Sequence, residues 1–335
     1  MTDLLEDLRR RTTAAVARWA PGAEVSAVEP LTGGSSSLTY VATLRGAPEQ
    51  RVVLKVAPPG LPPLRNRDVL RQGRLMAALA DVPGVRVPRA LFEVPAESLD
   101  VPPFLAMNLV PGECLEPVLS PRGALPAETV RARMLDAVRM LADLHRVDPS
   151  ATALADEPVV TIADEIDRWT RAFTTVPEDL REGYEKVAEL LHATVPPALP
   201  PAVLHGDYRL GNTLCVDDRV AAIIDWEIWA VGDPRIDVTW LQYFTDEATH
   251  PGSPSAEPTG TPTKAEVLAA YEEARGAPLP DLDWFEALTK YKETAATALL
   301  IKRERKAGTP GDLTRRMQPA LPVMLREATE LIEAR

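Results

Sequence analysis

The first third of the chain alternates short apolar runs with turn residues. Residues 2–19 place apolar side chains at helical spacing, which predicts an amphipathic helix that ends before Pro21-Gly22. Later apolar runs have the length of strands and lie at 25–30, 38–44, 51–57, 90–94 and 104–110. A helical pattern at 66–80 separates the third run from the fourth. We therefore predict a small antiparallel sheet with one helix packed on it.

Beyond residue 110 the pattern becomes helical. Residues 128–146 carry Val130, Met134 and Val138 on one stripe, which is the spacing of a helix that faces a core. Further helical segments are predicted at 161–175, 178–194, 237–246, 263–275, 283–306 and 312–333. Because Pro111-Gly112 separates the two patterns, we predict an N-terminal domain at 1–110 and a larger, mainly helical domain at 111–335.

Composition narrows the classes of function. An apolar content of 45% supports full cores, and a net charge of −12 argues against nucleic acid as the main partner. The same charge is compatible with a cationic small substrate, although an acidic surface also simply keeps a protein soluble. The acidic start lacks an apolar signal core, and no run approaches the ~18 apolar residues of a membrane span. We expect a cytoplasmic protein without a membrane partner, and its oligomeric state stays open.

The residues that carry chemistry concentrate in two neighbouring segments. The first is Val203-Leu-His-Gly-Asp-Tyr-Arg-Leu-Gly-Asn212, in which a short strand leads into a polar loop with Asp207 and Asn212 five positions apart. The second is Ile223-Ile-Asp-Trp-Glu227, in which a strand-like run delivers Asp225. Hard cations such as Mg²⁺ take oxygen ligands of this kind together with substrate phosphates. The spacing is that of a kinase catalytic loop and its metal-binding aspartate.

These motifs resemble the signature of the aminoglycoside phosphotransferase family, which is related to choline kinases and protein kinases. The later Val231-Gly-Asp-Pro-Arg-Ile-Asp237 also fits that family, and the resemblance is clearest between residues 30 and 240. It implies an α+β, two-lobed protein kinase-like fold with a small antiparallel-sheet N-terminal lobe and a mainly helical C-terminal lobe. It also implies ATP and Mg²⁺ as cofactors and a small hydroxylated molecule as phosphate acceptor.

On the nucleotide side, the resemblance implies contacts from three segments. Gly33, Gly34, Ser35 and Ser36 form a small-residue turn that matches the family's phosphate-covering loop, although an ordinary hairpin turn has the same composition. Lys55 lies in an apolar strand and matches the kinase lysine that contacts the α- and β-phosphates.

The third segment contains Met107 and Asn108, in the position of the hinge that binds the adenine edge, though Met107 is equally compatible with a core position. The family's helix glutamate, which normally pairs with the lysine, is replaced by Gln72. Asp68, one turn earlier, is the carboxylate we expect to substitute for it.

On the chemical side, the resemblance implies that Asp207 accepts a hydrogen bond from the acceptor hydroxyl, while Asn212 and Asp225 hold Mg²⁺. We expect Asp237 to hold the catalytic loop, and Glu227 to have a structural or substrate-facing role. Aminoglycosides, macrolides, choline, amino sugars and acyl-CoA-linked hydroxyls are all acceptors in this family. The low aromatic content, 5%, argues against a cage for choline.

Three other functions compete with this interpretation. A non-catalytic nucleotide-binding module is suggested by Gln72 alone. A metal-dependent hydrolase could use His205, Asp207, Asp225 and Asp233, but it leaves the glycine–serine turn and Lys55 unexplained. A protein kinase lacks support because Asp-Trp-Glu replaces Asp-Phe-Gly and no Ala-Pro-Glu segment follows.

Overall fold

A computed structural model of the chain describes residues 2–31 and 38–335. The described residues form two compact units. Unit 1 comprises those of Met1–Gly112 together with Ser150–Asp156 and Ala221–Trp229. Unit 2 comprises Glu113–Pro149, Glu157–Val220 and Ala230–Arg335.

Unit 1 is built on an antiparallel sheet. Its strands are β1 (Glu24–Pro30), β2 (Leu38–Arg45), β3 (Arg51–Val56), β4 (Ala90–Val94) and β5 (Phe104–Asn108). They lie in the order β1-β2-β3-β5-β4, and each neighbouring pair runs antiparallel. The register places Lys55 of β3 between Thr39 and Leu105. A sheet of this kind was predicted, and Lys55 lies near the end of β3, its central strand.

Two helices pack against the sheet of unit 1, where one was predicted. Helix α1 (Thr2–Trp19) contacts β1 and β4, and its Leu8 and Val16 share a core with Leu54 and Phe104 of the sheet. Helix α2 (Val69–Leu79) contacts β4 and β5. It starts three residues later than predicted because the Asp68 side chain caps it, accepting hydrogen bonds from the first turn.

Unit 2 is mainly helical. Its helices are α3 (Ala127–His145), α4 (Ile162–Phe173), α5 (Tyr184–Ala193), α6 (Arg235–Tyr243), α7 (Lys264–Arg275), α8 (Leu282–Ala307), α9 (Asp312–Met317) and α10 (Leu321–Glu333). Helix α8 contacts α4, α5, α6, α9 and α10 and so runs through the middle of the core. The single helix predicted at 312–333 is two helices, because a 3₁₀ turn at Gln318–Ala320 contains Pro319, which has no N–H to donate.

Short strands in the middle of the chain carry the motif residues. They are β6 (Ala202–Leu204), β7 (Thr213–Val216), β8 (Arg219–Ile223) and β9 (Ala230–Gly232). Strand β6 pairs with β9, with Val203 opposite Val231, and this pairing fixes where the loop after β6 begins. In the part of the chain that the structure describes, no helix is long and apolar enough to cross a membrane.

Candidate active site

The loop that follows β6 is held by a buried carboxylate on α6. Asp237 Oδ2 accepts a hydrogen bond from His205 N at 2.6 Å, and its Oδ1 accepts one from Gly206 N at 2.8 Å. Burial alone would raise the pKa of Asp237, but the hydrogen bond with His145 and nearby positive charges hold it below its usual range. The turn needs glycine at 206, where φ is +84°. The role expected for Asp237 is confirmed by these contacts.

Asp207, the next residue, has a carboxylate that three donors orient. Its Oδ1 accepts from Trp240 Nε1 at 2.7 Å and from Arg209 Nε at 3.3 Å. Its Oδ2 accepts from Asn212 Nδ2 at 2.7 Å. The side chain is 28% exposed, so a small molecule in solvent can reach it. The structure therefore brings Asp207 and Asn212 together in unit 2.

A buried lysine lies beside this loop. Lys292 of α8 donates a hydrogen bond to the Gly206 carbonyl, and its ammonium is 3.8 Å from the centroid of the Trp240 ring. Burial lowers the pKa of Lys292, while the charges of Glu165, Asp207 and Asp237 oppose that effect. The lysine thus fixes both the loop backbone and the ring that orients Asp207. No local pattern marks Lys292 as a site residue, because it lies far along the chain in a helical pattern.

Arg209 is engaged by two carboxylates. Besides Asp207, it lies 3.6 Å from Glu116 Oε2, which also accepts a hydrogen bond from Gly211 N at 3.0 Å. Burial raises the pKa of Glu116, although Arg209 partly offsets this effect. The charge of Arg209 is therefore balanced within unit 2, and the arginine positions the loop that follows β6.

A second carboxyl group with an altered pKa lies on α8. Burial raises the pKa of Glu293 to about 7. Its Oε1 accepts a hydrogen bond from Thr297 Oγ1 at 3.0 Å and lies 4.0 Å from His250 Nε2. Burial lowers the pKa of His250 to about 3, so this histidine is neutral at physiological pH.

Lys55 of unit 1 meets two carboxylates of the segment that follows β8. Its Nζ lies 3.2 Å from Asp225 Oδ1 and 3.1 Å from Glu227 Oε1. The Lys55 and Glu227 side chains are 9% and 12% exposed, whereas Asp225 is 43% exposed. Asp225 adopts a left-handed backbone conformation, with φ +64°, which turns the chain directly after β8. The structure thus brings Lys55 and Asp225 together.

The expectation that Asp68 pairs with Lys55 is wrong. The Asp68 carboxylate caps α2 instead, accepting hydrogen bonds from Leu70 N and Arg71 N at 3.1 and 3.0 Å. In the described part of the chain, the carboxylates within ion-pair distance of Lys55 are those of Asp225 and Glu227. Gln72 is buried on α2, and its Nε2 has no hydrogen-bond partner among the residues that the structure describes.

The remaining nucleotide-side residues lie in or beside the sheet of unit 1. Met107 and Asn108 end β5, opposite Val53 and Val52, and both are partly exposed. Asn108 Oδ1 accepts a hydrogen bond from Arg89 N at 2.6 Å, which joins the end of β5 to the residue before β4. Gly33, Gly34, Ser35 and Ser36 lie outside the described residues. Their role and that of Met107 and Asn108 stay predictions.

Asn212 in unit 2 and Asp225 in unit 1 each keep an oxygen of the type that a hard cation prefers. Asn212 uses its Nδ2 on Asp207, which leaves Oδ1 as a ligand. Lys55 engages only Oδ1 of Asp225, which leaves the second oxygen of a largely exposed carboxylate. Within 2–31 and 38–335 there is no group of three or more His, Cys, Asp or Glu side chains placed to hold a metal ion. Mg²⁺ does not need such a cluster, because it usually keeps several water ligands and binds one or two protein oxygens together with substrate phosphates.

Two of the four side chains named for the hydrolase alternative, Asp233 and His205, make other contacts in this structure. Asp233 pairs with buried Arg235 at 2.7 Å and accepts a hydrogen bond from Leu199 N. His205 Nδ1 accepts a hydrogen bond from Asp207 N at 3.1 Å, within its own turn. Both side chains are therefore occupied with structural roles.

Similarity to known proteins extends over most of the chain. The sequence model of the phosphotransferase enzyme family matches residues 27–288. The chain is 26% identical over 255 residues to acyl-CoA dehydrogenase family member 11 of Pongo abelii, covering 72% of this chain and 32% of that protein. It thus spans about a third of the length of that relative.

Two further similarities concern phosphotransferases. Viomycin phosphotransferase of Streptomyces vinaceus is 32% identical over 183 residues, which cover 51% of this chain and 58% of that enzyme. The fold is also similar to the crystal structure of a Ralstonia eutropha protein assigned to the aminoglycoside phosphotransferases. That match has a TM-score of 0.76 and 22% identity, and it covers 100% of this chain and 98% of the other.

Proposed function

Because the chain belongs to the phosphotransferase enzyme family, we propose that it is an ATP- and Mg²⁺-dependent O-phosphotransferase. It transfers the γ-phosphate of ATP to a hydroxyl group of a small molecule. The fold is the one expected, a two-lobed kinase-like α+β fold, which matches the structural neighbour over its whole length.

The observation that carries this proposal is the fixed Asp207 carboxylate. Trp240 and Asn212 each donate to a different oxygen of the group at 2.7 Å, so the carboxylate has one orientation. Oδ2 accepts from Asn212 alone among these donors and keeps a lone pair for an incoming hydroxyl. Asp207 accepts the hydrogen bond of the acceptor hydroxyl and directs its oxygen at the phosphorus. General-base assistance of this kind contributes about 10²–10⁴-fold.

The nucleotide is assigned to unit 1. Lys55 contacts the α- and β-phosphates, the turn containing Gly33, Gly34, Ser35 and Ser36 covers them, and the end of β5 at Met107 and Asn108 takes the adenine edge. The support is that Lys55 is a buried ammonium on the central strand of the sheet, as the kinase lysine is carried on a strand, and that it lies 3.2 Å from Asp225.

Asn212 and Asp225 are the residues assigned to Mg²⁺. The free amide oxygen of Asn212 and the exposed carboxylate of Asp225 are the donor types that the ion prefers. When bound, the ion neutralises charge on the phosphates during transfer.

Two acceptor classes have support. The viomycin phosphotransferase similarity favours a hydroxylated antibiotic, and it comes from the more similar of the two sequences at 32% identity. The similarity to part of an acyl-CoA dehydrogenase family member favours a hydroxyacyl thioester, since a fused domain commonly acts on a related compound. Both acceptors carry the alcohol group that Asp207 needs.

The test is ATP consumption by the purified protein with Mg²⁺ against aminoglycosides, macrolides, viomycin, amino sugars, choline and hydroxyacyl thioesters. We expect turnover with one class, and a loss of about 10² or more in Asp207→Asn while ATP still binds. The matched control is Asp218→Asn, an exposed carboxylate in the turn after β7. Turnover that survives in Asp207→Asn contradicts the assigned role. An absence of ATP binding contradicts the proposal as a whole, and ATP binding without turnover favours the non-catalytic module.

A further inference from the structure

The phosphate-contacting lysine of this chain lacks a carboxylate partner on the helix that follows its strand. Helix α2 carries Gln72 at the position expected for that carboxylate, and the Asp68 carboxylate caps the helix. A buried ammonium without a partner is costly, because desolvation penalises an unpaired charge. Lys55, 9% exposed, must therefore be paired by another group.

Two carboxylates are within ion-pair distance of Lys55, and they differ in exposure. Asp225 lies 3.2 Å away, but its side chain is 43% exposed and it is also the carboxylate assigned to the metal ion. Glu227 lies 3.1 Å away, and its side chain is 12% exposed. A buried ion pair is screened little by salt, whereas an exposed carboxylate is readily taken up by water and dissolved cations. Glu227 can thus hold Lys55 when Asp225 turns to a metal ion.

Helix α2 also fixes the segment that carries Glu227. The Arg71 guanidinium lies 3.7 Å from the centroid of the Trp229 ring and donates a hydrogen bond to the Trp229 carbonyl at 3.1 Å. The turn at Trp226–Ile228 contacts α2 as well. These contacts keep the backbone of Glu227 close to the helix that would otherwise provide the partner of Lys55.

We propose that Glu227 is the positioning residue of Lys55. It provides the ion pair that a glutamate on α2 would otherwise provide at position 72, where this chain has Gln72. The inference rests on the proposed function, because it assigns Lys55 to the phosphates of ATP. Glu227 acts through Lys55 and does not itself touch the nucleotide. Nε2 of buried Gln72 has no hydrogen-bond partner among the residues that the structure describes, so replacing this amide by a carboxylate breaks no hydrogen bond that Nε2 donates.

The experiment moves the carboxylate from one position to the other. The variants are Glu227→Gln, Gln72→Glu and the double variant that combines them. The control is Glu49→Gln, which removes a carboxylate from the surface ion pair with Arg89 in the same unit. The first readout is the rate at which an amine-acetylating reagent modifies Lys55 in the nucleotide-free protein, measured by peptide mass spectrometry. Exposed Lys186 is the internal reference.

We expect Glu227→Gln to raise the labelling of Lys55 several-fold, because a lysine that loses an ion-pair partner 3.1 Å away moves more freely and is more accessible to the reagent. The double variant should return labelling towards its original rate, and Glu49→Gln should leave it unchanged. With the acceptor found in the panel, kcat/KM for ATP should fall about tenfold in Glu227→Gln, the size of one charge-assisted hydrogen bond, and recover in the double variant.

Unchanged labelling of Lys55 in Glu227→Gln overturns the inference. A raised labelling with no recovery in the double variant also overturns it, because Glu227 then does something that a carboxylate at position 72 cannot, such as binding Mg²⁺. If the unsubstituted protein turns over no acceptor but the labelling changes as expected, the pairing of Lys55 with Glu227 is supported and the proposed function fails.

Discussion

The indole Nε1 of Trp240 donates a hydrogen bond to Oδ1 of Asp207 at 2.7 Å. Trp240 lies on α6. The same helix carries Asp237, whose carboxylate accepts hydrogen bonds from the backbone N–H groups of His205 and Gly206, the two residues before Asp207. One helix therefore fixes both the turn that presents Asp207 and the rotation of its carboxylate. The Lys292 ammonium lies 3.8 Å from the centroid of the Trp240 ring and makes a cation–π contact that helps to fix the indole.

Trp240→Phe tests the orientation of Asp207. The variant keeps an aromatic ring beside Phe244 and Lys292 but removes the N–H donor. We expect kcat to fall about tenfold with little change in KM for ATP, because a hydrogen bond to a charged group contributes about 1.5–3 kcal/mol. Steady-state kinetics with the acceptor identified in the panel provide the measurement.

The control for this variant is Trp284→Phe. Trp284 Nε1 donates to Thr194 Oγ1 at 2.9 Å, so the substitution deletes an indole hydrogen bond in unit 2 that does not involve Asp207 or Lys292. Equal losses of kcat in the two variants would indicate a general effect on stability and would remove Trp240 from the positioning of Asp207.

Asp225→Asn tests the assignment of the metal ion. With Mg²⁺ present we expect ATP affinity to fall about tenfold, since a metal-binding carboxylate loses its charge. Without Mg²⁺ we expect ADP affinity to stay the same or increase, because Lys55 loses the competing charge 3.2 Å away. Calorimetric titrations with and without a chelator separate the two effects. Equal losses in both conditions would refute a metal role.

Much of the fold follows from local sequence patterns. The strands of unit 1 and most helices of unit 2 were predicted because each has its own apolar periodicity. Strand β9 was missed, since three residues carry too short a pattern and its partner β6 lies almost thirty residues earlier. The break between α9 and α10 was missed although Pro319 marks it, because the apolar spacing continues on both sides.

In the candidate site, too, some residues could be predicted from local sequence and others could not. The motif spacing brought Asp207, Asn212 and Asp225 to attention, and the structure shows how Asp207 and Asn212 meet in one loop. The partners that determine their behaviour come from distant positions in the chain, such as Trp240 for Asp207 and Glu227 for Lys55. Such pairs depend on the packing of α6 and on the turn after β8, which no local pattern reports.

Asp237→Asn tests the support of the catalytic loop. The amide would place an N–H₂ group against the backbone N–H donors of His205 and Gly206, which lie 2.6 and 2.8 Å from the carboxylate. Losing a buried charge and a hydrogen-bond acceptor together should lower the free energy of unfolding by about 3–5 kcal/mol. Urea denaturation gives this number, with exposed Asp218→Asn as the control. A loss below about 1 kcal/mol would show that the loop has other sufficient support.

Glu293→Gln tests the altered carboxyl group on α8. Burial raises the pKa of Glu293 from its usual value of 4.5 to about 7. Between these two pH values the carboxyl group is protonated in the folded protein and ionised in the unfolded chain. This group therefore lowers stability as the pH rises from about 4.5 to 7, by up to about 3 kcal/mol. The charges that face it, Asp207, Arg209 and Lys292, are unchanged by the substitution.

The glutamine remains neutral and keeps an oxygen for the hydrogen bond from Thr297. We therefore expect Glu293→Gln to unfold at about the same urea concentration as the unsubstituted protein near pH 5 and at a higher one near pH 8. Exposed Glu189→Gln controls for the loss of a surface carboxylate. Parallel stability curves for Glu293→Gln and the unsubstituted protein between pH 5 and 8 would show that Glu293 titrates alike in the folded and unfolded chain, and would exclude a raised pKa.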